Sequence, residues 1–370
     1  MDLRDLQRPS AEMLFAEELI RLTAHDQGKD KPGGWRMTPE SVVHFILGDK
    51  DRHTEPKFVG SRRFVERCIV ALATQRGLML IGEPGTAKSY LSELLAAAIS
   101  GDSTMTIQGS AGTTEDDIKY SWNYALLMAE GPTQNALVPA PLYTGMLEGK
   151  IVRFEEITRC PLEIQDTILS ILSDRMLTLP EFKDEGRTVF AHAGFNVIAT
   201  ANTRDRGVND MSAALKRRFN FETVHPIQDV QVEMDLVKRE TNQLLERAGI
   251  PLRLNNDMTE MLVITFHELR DSKTLGGKAL EPLSTIMSTA EAVAVAYAAG
   301  LHAHYFGGVE IRPEHLVQNL VGSALKENTD DVKKVRHYFH HVVRSRKQPL
   351  WKEFFDAAQK TDELGTSREP

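Results

Sequence analysis

A short loop carries the residues whose types and spacing best indicate chemistry. Between the apolar run 77–81 and the helix-forming segment 90–99 lies Gly82-Glu83-Pro84-Gly85-Thr86-Ala87-Lys88-Ser89. Strand, glycine loop and helix form the context in which backbone N–H groups and a helix N-terminus bind a triphosphate. We expect Lys88 to neutralise the β- and γ-phosphates and the Ser89 hydroxyl to bind Mg²⁺.

Ala87 departs from the usual loop pattern, G-x-x-x-x-G-K-[ST], which has glycine at that position. A methyl group is tolerated there if the residue keeps a negative φ, and it is strained if φ is positive. The alternative interpretation is a strand–turn–helix with an incidental lysine. The phosphate loop is favoured, because the strand, the Pro84-Gly85 turn, Lys88-Ser89 and the helix all agree.

Two carboxylates, Glu155 and Glu156, follow the predicted strand 150–154. Hydrolysis of a γ-phosphate needs a metal, a polarised water and positive charge for the transition state. One carboxylate could hold the hydration shell of Mg²⁺, and the other could orient or deprotonate the attacking water. Two surface glutamates at a strand end are the alternative, which the apolar strand before them makes weaker.

Two further polar elements follow the next strand. Asn202 comes just after the apolar run 195–200, and loops at the carboxyl ends of parallel strands form the ligand crevice. Its amide could hold the water or the γ-phosphate, although asparagine at a strand end more often serves a turn. Arg217 and Arg218 could pair with local carboxylates, which the local sequence slightly favours, or reach across a subunit boundary as an arginine finger.

Composition and charge argue against several classes of protein. The 370 residues are 41% hydrophobic and 26% charged, with a formal net charge of −8, whereas a protein that coats nucleic acid is usually basic. Cys68 and Cys160 form no disulfide framework, so reduced thiols in the cytosol are the simplest interpretation. We expect no transmembrane helix, no signal peptide and a cytoplasmic location.

Alternating strands and helices up to about residue 225 predict an α/β domain with a parallel sheet, and the remainder reads as all-α. A hairpin is predicted from 176–181 and 187–191. Ser288 begins a helix with a capping box, and Gly300 is expected to close it. The predicted helices beyond the α/β domain are 229–248, 256–270, 288–299, 313–327 and 330–345.

The order of these motifs resembles the MoxR branch of the AAA+ ATPases, within the helix-2-insert clade, over roughly residues 55–325. Besides the loop at 82–89, the resemblance rests on Glu155-Glu156-Ile157-Thr158-Arg159, Ala199-Thr200-Ala201-Asn202-Thr203 and Leu215-Lys216-Arg217-Arg218-Phe219. The first segment looks like that family's Walker A, in which alanine before lysine is a familiar variant. The segment around 115–140 is placed like its helix-2 insert, and the hairpin at 176–191 like its pre-sensor-1 hairpin.

The resemblance implies a role for each candidate residue. Glu155 would stand at the Walker B aspartate and bind the metal with Ser89, and Glu156 would be the catalytic carboxylate. Asn202 matches sensor 1, and Arg218 matches the arginine finger. The implied ligands are ATP, held by 82–89, and Mg²⁺. The implied domains are an N-terminal helical extension (1–55), an AAA+ P-loop core (56–226), an α-helical lid (227–328) and a C-terminal helix with a tail (329–370).

Two departures from the family pattern bear on the rate of hydrolysis. Glu155 is one methylene longer than the Walker B aspartate, so the metal geometry is expected to shift. The sensor-2 arginine of the family opens a lid helix, but the corresponding helix begins Ser288-Thr289, and no arginine or lysine occurs between Lys278 and Arg312. Sensor 2 is therefore absent or supplied by another residue, such as Arg270.

The expected function is that of a cytoplasmic ring ATPase, a hexamer that acts as a chaperone-like protein remodeler. The resemblance implies a protein client and a von Willebrand factor A domain partner, and nucleic acid is not expected to bind. Two alternatives stay open at this point. One is a nucleic-acid-dependent AAA+ motor, and the other is a nucleotide-switched scaffold with very slow hydrolysis.

Overall fold

The computed structural model describes residues 6–182, 187–202, 211–325 and 328–364. The chain divides into two compact units. The first comprises Met1–Glu83 and Ala87–Val224, and the second comprises Pro84–Thr86 and His225–Pro370. The finer subdivision of the chain at residues 55 and 328 stays a prediction.

The first unit is built on a parallel sheet, as predicted. The strands of this unit are β1 (Gly77–Gly82), β2 (Thr106–Gln108), β3 (Tyr120–Trp122), β4 (Leu137–Pro139), β5 (Ile151–Glu155), β6 (Met176–Thr178), β7 (Thr188–Phe190), β8 (Asn196–Asn202) and β9 (Phe219–Val224). Five of them pair in the order β2-β5-β8-β1-β9, all parallel. In this register Gly82 pairs with Asn202 and Gln108 with Glu155, so the carboxyl ends of these strands meet at one edge.

Two antiparallel pairs lie outside this sheet. Strand β3 pairs with β4 within the segment predicted as an insert, and β6 pairs with β7, which confirms the predicted hairpin. The Glu181 carboxylate connects the two pairs, because it accepts hydrogen bonds from Tyr120 Oη at 3.0 Å and Trp122 Nε1 at 3.3 Å. Residues 183–186, at the tip of the predicted hairpin, lie outside the described residues.

The helices of the first unit cover both faces of the five-stranded sheet. They are α1 (Ala11–Leu14), α2 (Ala16–His25), α3 (Pro39–Leu47), α4 (Arg62–Ala73), α5 (Lys88–Ser100), α6 (Tyr124–Glu130), α7 (Pro141–Glu148), α8 (Leu162–Asp166), α9 (Leu169–Asp174) and α10 (Ala213–Lys216), with 3₁₀ turns at Lys50–Arg52 and Ile157–Arg159. One core packs α3, α4 and α5 against Leu78 and Leu80, while Met79 belongs to the core on the other face. Alternate residues of β1 thus bury opposite faces of the sheet.

The second unit is helical. Its helices are α11 (Val230–Arg247), α12 (Asn256–Arg270), α13 (Thr289–Tyr305), α14 (Pro313–Leu320), α15 (Thr329–His341) and α16 (Pro349–Lys360), with a π-helical turn at Val321–Leu325 and a 3₁₀ turn at Val343–Ser345. Helices α11 to α16 share one hydrophobic core. No helix in the described part of the chain is long and apolar enough to span a membrane.

The predicted start of α13 is confirmed, and its predicted end is wrong. Ser288 and Glu291 form the capping box, with Ser288 N–H donating to Glu291 Oε2 at 3.0 Å. The helix continues through Gly300 to Tyr305. A Cβ at position 300 would lie 2.6 Å from Leu245 Cδ2, so glycine serves the close packing of α13 against α11 and not a helix end.

Candidate functional site

The predicted phosphate loop lies between β1 and α5, and Lys88 is the first residue of α5. The Lys88 side chain is largely buried, and its Nζ donates hydrogen bonds to the carbonyls of Gly82 at 3.1 Å and Glu83 at 2.7 Å. The ammonium group is therefore held inside the curve of the loop, at the N-terminus of a thirteen-residue helix. This is the end of a helix at which anions are stabilised.

The backbone at Ala87 is left-handed, with φ +64° and ψ +26°. Of the two cases that the sequence posed for this position, the strained one is present, at a cost of roughly 1–2 kcal/mol for a residue with a Cβ. Gly85 also has a positive φ, +76°, but without such a cost. Strained residues persist where the surrounding structure fixes them, and they cluster at functional sites.

Four groups hold the buried Glu155 carboxylate at the end of β5. Oε2 accepts from Ser89 Oγ at 2.6 Å and from Thr200 Oγ1 at 2.8 Å. Oε1 lies 2.6 Å from Ser92 Oγ and 3.0 Å from Arg153 Nη2. The structure thus brings together Ser89 and Glu155, the two residues predicted as metal ligands. Hydroxyl and carboxylate oxygens are hard donors of the kind that Mg²⁺ prefers, so this pair fits that ion.

Glu156 follows at the turn after β5 in a left-handed conformation, with φ +55°. Its backbone N–H donates to Thr200 Oγ1 at 2.9 Å, and its carboxylate pairs with Arg159 Nε at 2.5 Å. The Glu156 side chain is about one third exposed. The two adjacent glutamates therefore lie in different environments: Glu155 is buried, and Glu156 is partly exposed to solvent.

Two further candidate site residues, Asn202 and Arg218, lie on other elements of the first unit. Asn202 ends β8 and pairs in register with Gly82 of β1, which places it at the same edge of the sheet as the loop. Arg218 lies between α10 and β9, is exposed, and donates from Nε to the Ser173 hydroxyl of α9 at 2.7 Å. Residues 203–210 lie outside the described residues.

The sequence interpretation missed Arg153, Ser92 and Thr200, which complete the surroundings of Glu155. A signal for Arg153 was present, since it is a charged residue within an apolar strand, two positions before Glu155 and therefore on the same face. Ser92 follows Ser89 by three residues on α5 and so lies on the same side of that helix. Nothing in the local pattern of the apolar strand singled out Thr200.

Arg270, the suggested substitute for sensor 2, takes part in a buried ion pair within the helical unit. Its guanidinium donates to both oxygens of Glu233, at 3.1 and 2.8 Å, and to the carbonyl of Met287. Burial raises the pKa of Glu233, but contacts with His267 and Arg270 outweigh burial and bring the pKa to about 2. The Arg270 guanidinium therefore joins α12 to α11 and to the residue before the cap of α13.

Comparison with known proteins places these features in a family. Residues 77–219 match the AAA domain of the dynein-related subfamily, and residues 231–362 match the C-terminal domain of YehL-like AAA+ ATPases. Over 355 residues the chain is 52% identical to the protein YehL of Escherichia coli (strain K12), which covers 95% of this chain and 97% of YehL. The first family match falls in the α/β part of the chain and the second in its helical part.

More distant similarity extends to a curated ATPase and to a solved structure. The chain is 23% identical over 283 residues to the gas vesicle ATPase GvpN of Haloferax mediterranei, with 72% of this chain and 76% of GvpN covered. A crystal structure of NtrX from Brucella abortus in complex with ADP aligns with a TM-score of 0.47 and 13% identity. That alignment covers 82% of this chain and 63% of the NtrX chain.

Proposed function

The chain belongs to the YehL-like AAA+ ATPases, and on that premise we propose that it binds ATP with Mg²⁺ and hydrolyses the γ-phosphate. The observation that carries the proposal is the 2.6 Å hydrogen bond from Ser89 Oγ to Glu155 Oε2. It joins the lysine-bearing loop to the carboxylate of β5, the juxtaposition that a metal-bound triphosphate needs. When bound, Mg²⁺ supplies charge neutralisation for the phosphates.

Each candidate residue has a proposed task in this reaction. Lys88 neutralises charge on the β- and γ-phosphates, and Ser89 with Glu155 holds the metal. Glu156, whose side chain is open to a reactant, orients and deprotonates the attacking water. Asn202 positions that water or the γ-phosphate, and Arg218 supplies positive charge to the nucleotide of a neighbouring subunit.

Replacement of the loop lysine tests the nucleotide site directly. Lys88→Ala is expected to abolish ATP binding, measured by the fluorescence of a labelled ATP analogue, because the phosphates lose a buried cation. Lys333→Ala is the matched control, since Lys333 is an exposed lysine on α15 of the helical unit. Unchanged ATP affinity in Lys88→Ala would contradict the assignment of the phosphate loop.

For the assembly as a whole, we propose a hexameric ring that remodels a protein client together with a von Willebrand factor A domain partner. The support is the resemblance of the motif order to MoxR proteins, and the exposed position of Arg218, which leaves this arginine available to a second subunit. Hydrolysis would then move one part of each subunit against another and pull on the client.

A nucleotide-switched scaffold with very slow turnover is the second candidate. The observation that favours it is the ion pair of Arg270 with Glu233, which engages the arginine suggested in place of sensor 2. A turnover assay on the purified chain, with and without a partner protein, separates the candidates. Single-turnover hydrolysis that stays at the level of the Glu156→Gln variant under both conditions would favour the scaffold.

A further inference from the structure

Arg153 is a buried charge in the middle of the apolar strand β5. Val152 and Phe154, its neighbours in sequence, belong to the core on one face of the sheet. Arg153 lies on the other face with Glu155, because successive side chains of a strand alternate. Both side chains are more than 90% buried, at 9% and 6% exposure. A buried guanidinium is costly unless its donors are matched, so its contacts indicate its role.

All three nitrogens of the Arg153 guanidinium are engaged. Nε donates to Ser92 Oγ at 2.9 Å, and Nη1 donates to the carbonyl of Ser103 at 3.0 Å. Nη2 donates to the carbonyl of Ser89 and to Glu155 Oε1, both at 3.0 Å. Two of these partners, Ser89 and Ser92, lie in the first turns of α5. The guanidinium therefore fixes the start of the phosphate-loop helix and the carboxylate with one rigid group.

The contacts divide the two oxygens of Glu155 between different tasks. Oε1 accepts hydrogen bonds from Arg153 Nη2 and Ser92 Oγ. Oε2 is left to the hydroxyls of Ser89 and Thr200. With Oε1 held in this way, the side chain of Glu155 is fixed in one rotamer. That rotamer keeps Oε2 beside the Ser89 hydroxyl, which is proposed to bind the metal.

We propose that Arg153 is a positioning residue for the metal site: its guanidinium holds Glu155 Oε1, so that Oε2 stays at Ser89. This inference rests on the proposed function. A glutamate carboxylate is carried on one methylene more than that of aspartate and has one more rotatable bond to fix. Arg153, with Ser92 beside it, removes that freedom before the metal arrives, in the way that outer partners orient metal ligands elsewhere.

The test measures Mg²⁺ dependence of nucleotide binding, which does not require turnover. A fluorescent ATP analogue is bound to the full chain in EDTA and is then titrated with Mg²⁺. In Arg153→Met the Mg²⁺ concentration for half-saturation is expected to rise about tenfold or more, the usual loss for an outer partner of a metal ligand. Affinity in EDTA is expected to stay at the wild-type value. Arg153→Lys keeps the positive charge but loses the planar, multidentate guanidinium. Its Mg²⁺ concentration for half-saturation is expected to lie between the values of the wild type and Arg153→Met.

Arg175→Met is the matched control, because Arg175 is a half-buried arginine of the same unit that contacts Phe195 and Asn196. It is expected to keep the wild-type Mg²⁺ dependence. An unchanged Mg²⁺ titration in Arg153→Met, or an equal loss in EDTA and in Mg²⁺, overturns the inference while leaving the proposed function in place. If Arg153→Met does not fold by circular dichroism, the same criteria apply to Arg153→Lys. A wild-type chain without Mg²⁺-dependent nucleotide binding overturns the proposed function itself.

Discussion

The Glu156 carboxylate pairs with the guanidinium of Arg159, three residues further along the turn that follows β5, at 2.5 Å. Both side chains are substantially exposed, 30% for Glu156 and 50% for Arg159. Pairs of this kind contribute about 0–1 kcal/mol, so the ion pair is too weak to keep the carboxylate from a bound reactant. The backbone of Glu156 is held more firmly than its side chain, because it is left-handed and its N–H donates to Thr200 Oγ1.

Glu156→Gln is expected to bind ATP but not to turn it over, because an amide cannot accept the proton of the attacking water. Its ATP-loaded assembly should therefore accumulate. Binding is measured with a labelled ATP analogue, and turnover by phosphate release. Glu163→Gln, a glutamate on the nearby helix α8, serves as the control and should turn over ATP as the wild type does.

The two adjacent glutamates can be told apart by the same assays. Glu155→Gln removes a proposed metal ligand, so its defect should depend on the Mg²⁺ concentration. If Glu155→Gln abolishes turnover at saturating Mg²⁺ and Glu156→Gln does not, the two carboxylate roles are reversed.

Arg218→Ala is expected to spare ATP binding and to lower turnover by about 10³-fold or more, the scale of arginine-finger losses. Arg217→Ala is the control, since that arginine is adjacent and also exposed. Mixing Arg218→Ala with Glu156→Gln should restore part of the activity, because a finger acts on a neighbour's nucleotide while the base acts within its own subunit. Absence of rescue in mixed assemblies would mean that Arg218 works within its own chain, where it contacts Ser173.

Ala87→Gly is expected to raise the free energy of unfolding by about 1 kcal/mol. The left-handed φ of +64° costs an alanine roughly 1–2 kcal/mol, and glycine removes this strain from the folded chain. Glycine also raises the entropy of the unfolded chain, but this destabilising effect offsets only part of the gain. Urea unfolding followed by circular dichroism measures the change. The control is Ala24→Gly, an exposed site within α2, where glycine should instead cost about 0.5–1 kcal/mol. A destabilised Ala87→Gly would show that the loop does not strain its alanine.

Ala87, Arg153 and Gly300 show which features can be predicted from the sequence and which cannot. The strand–loop–helix order and the parallel sheet follow from local patterns, and both are present. Whether the backbone at 87 is strained depends on how β1 and α5 are joined, which local sequence leaves open. The sequence predicts a helix end at Gly300, whereas the glycine is needed because Leu245 packs closely against it in the folded chain. The partners of Arg153 come from α5 and from Ser103, and only the folded chain brings them together.

Glu233 is expected to make the helical unit sensitive to acid. Its pKa in the folded chain, about 2, lies below its ordinary value of 4.5, so it contributes stability above pH 4.5 that is lost as the pH falls towards 2. Glu233→Gln should flatten this acid dependence. At pH 7 it should lower the free energy of unfolding by about 3–5 kcal/mol, because Arg270 is left buried without its partner.

Urea unfolding between pH 3 and pH 7 measures this effect. Glu246→Gln is the matched control on the same helix, since the pair of Glu246 with Arg253 is largely exposed and should contribute little. Equal acid profiles for Glu233→Gln and the wild type would contradict the assigned role of Glu233.

The last prediction concerns what the assembly acts on. The formal net charge of −8 favours a protein client over nucleic acid, because counterion release from DNA by basic groups drives most non-specific binding. Pull-down with tagged Glu156→Gln, which should retain its ATP and its client, is expected to recover a von Willebrand factor A domain protein, and Lys88→Ala is the control that should recover none. The rate of ATP turnover should stay flat when single- or double-stranded DNA is added. A salt-sensitive rise in turnover with DNA, together with no protein recovered by Glu156→Gln, would instead establish the nucleic-acid motor.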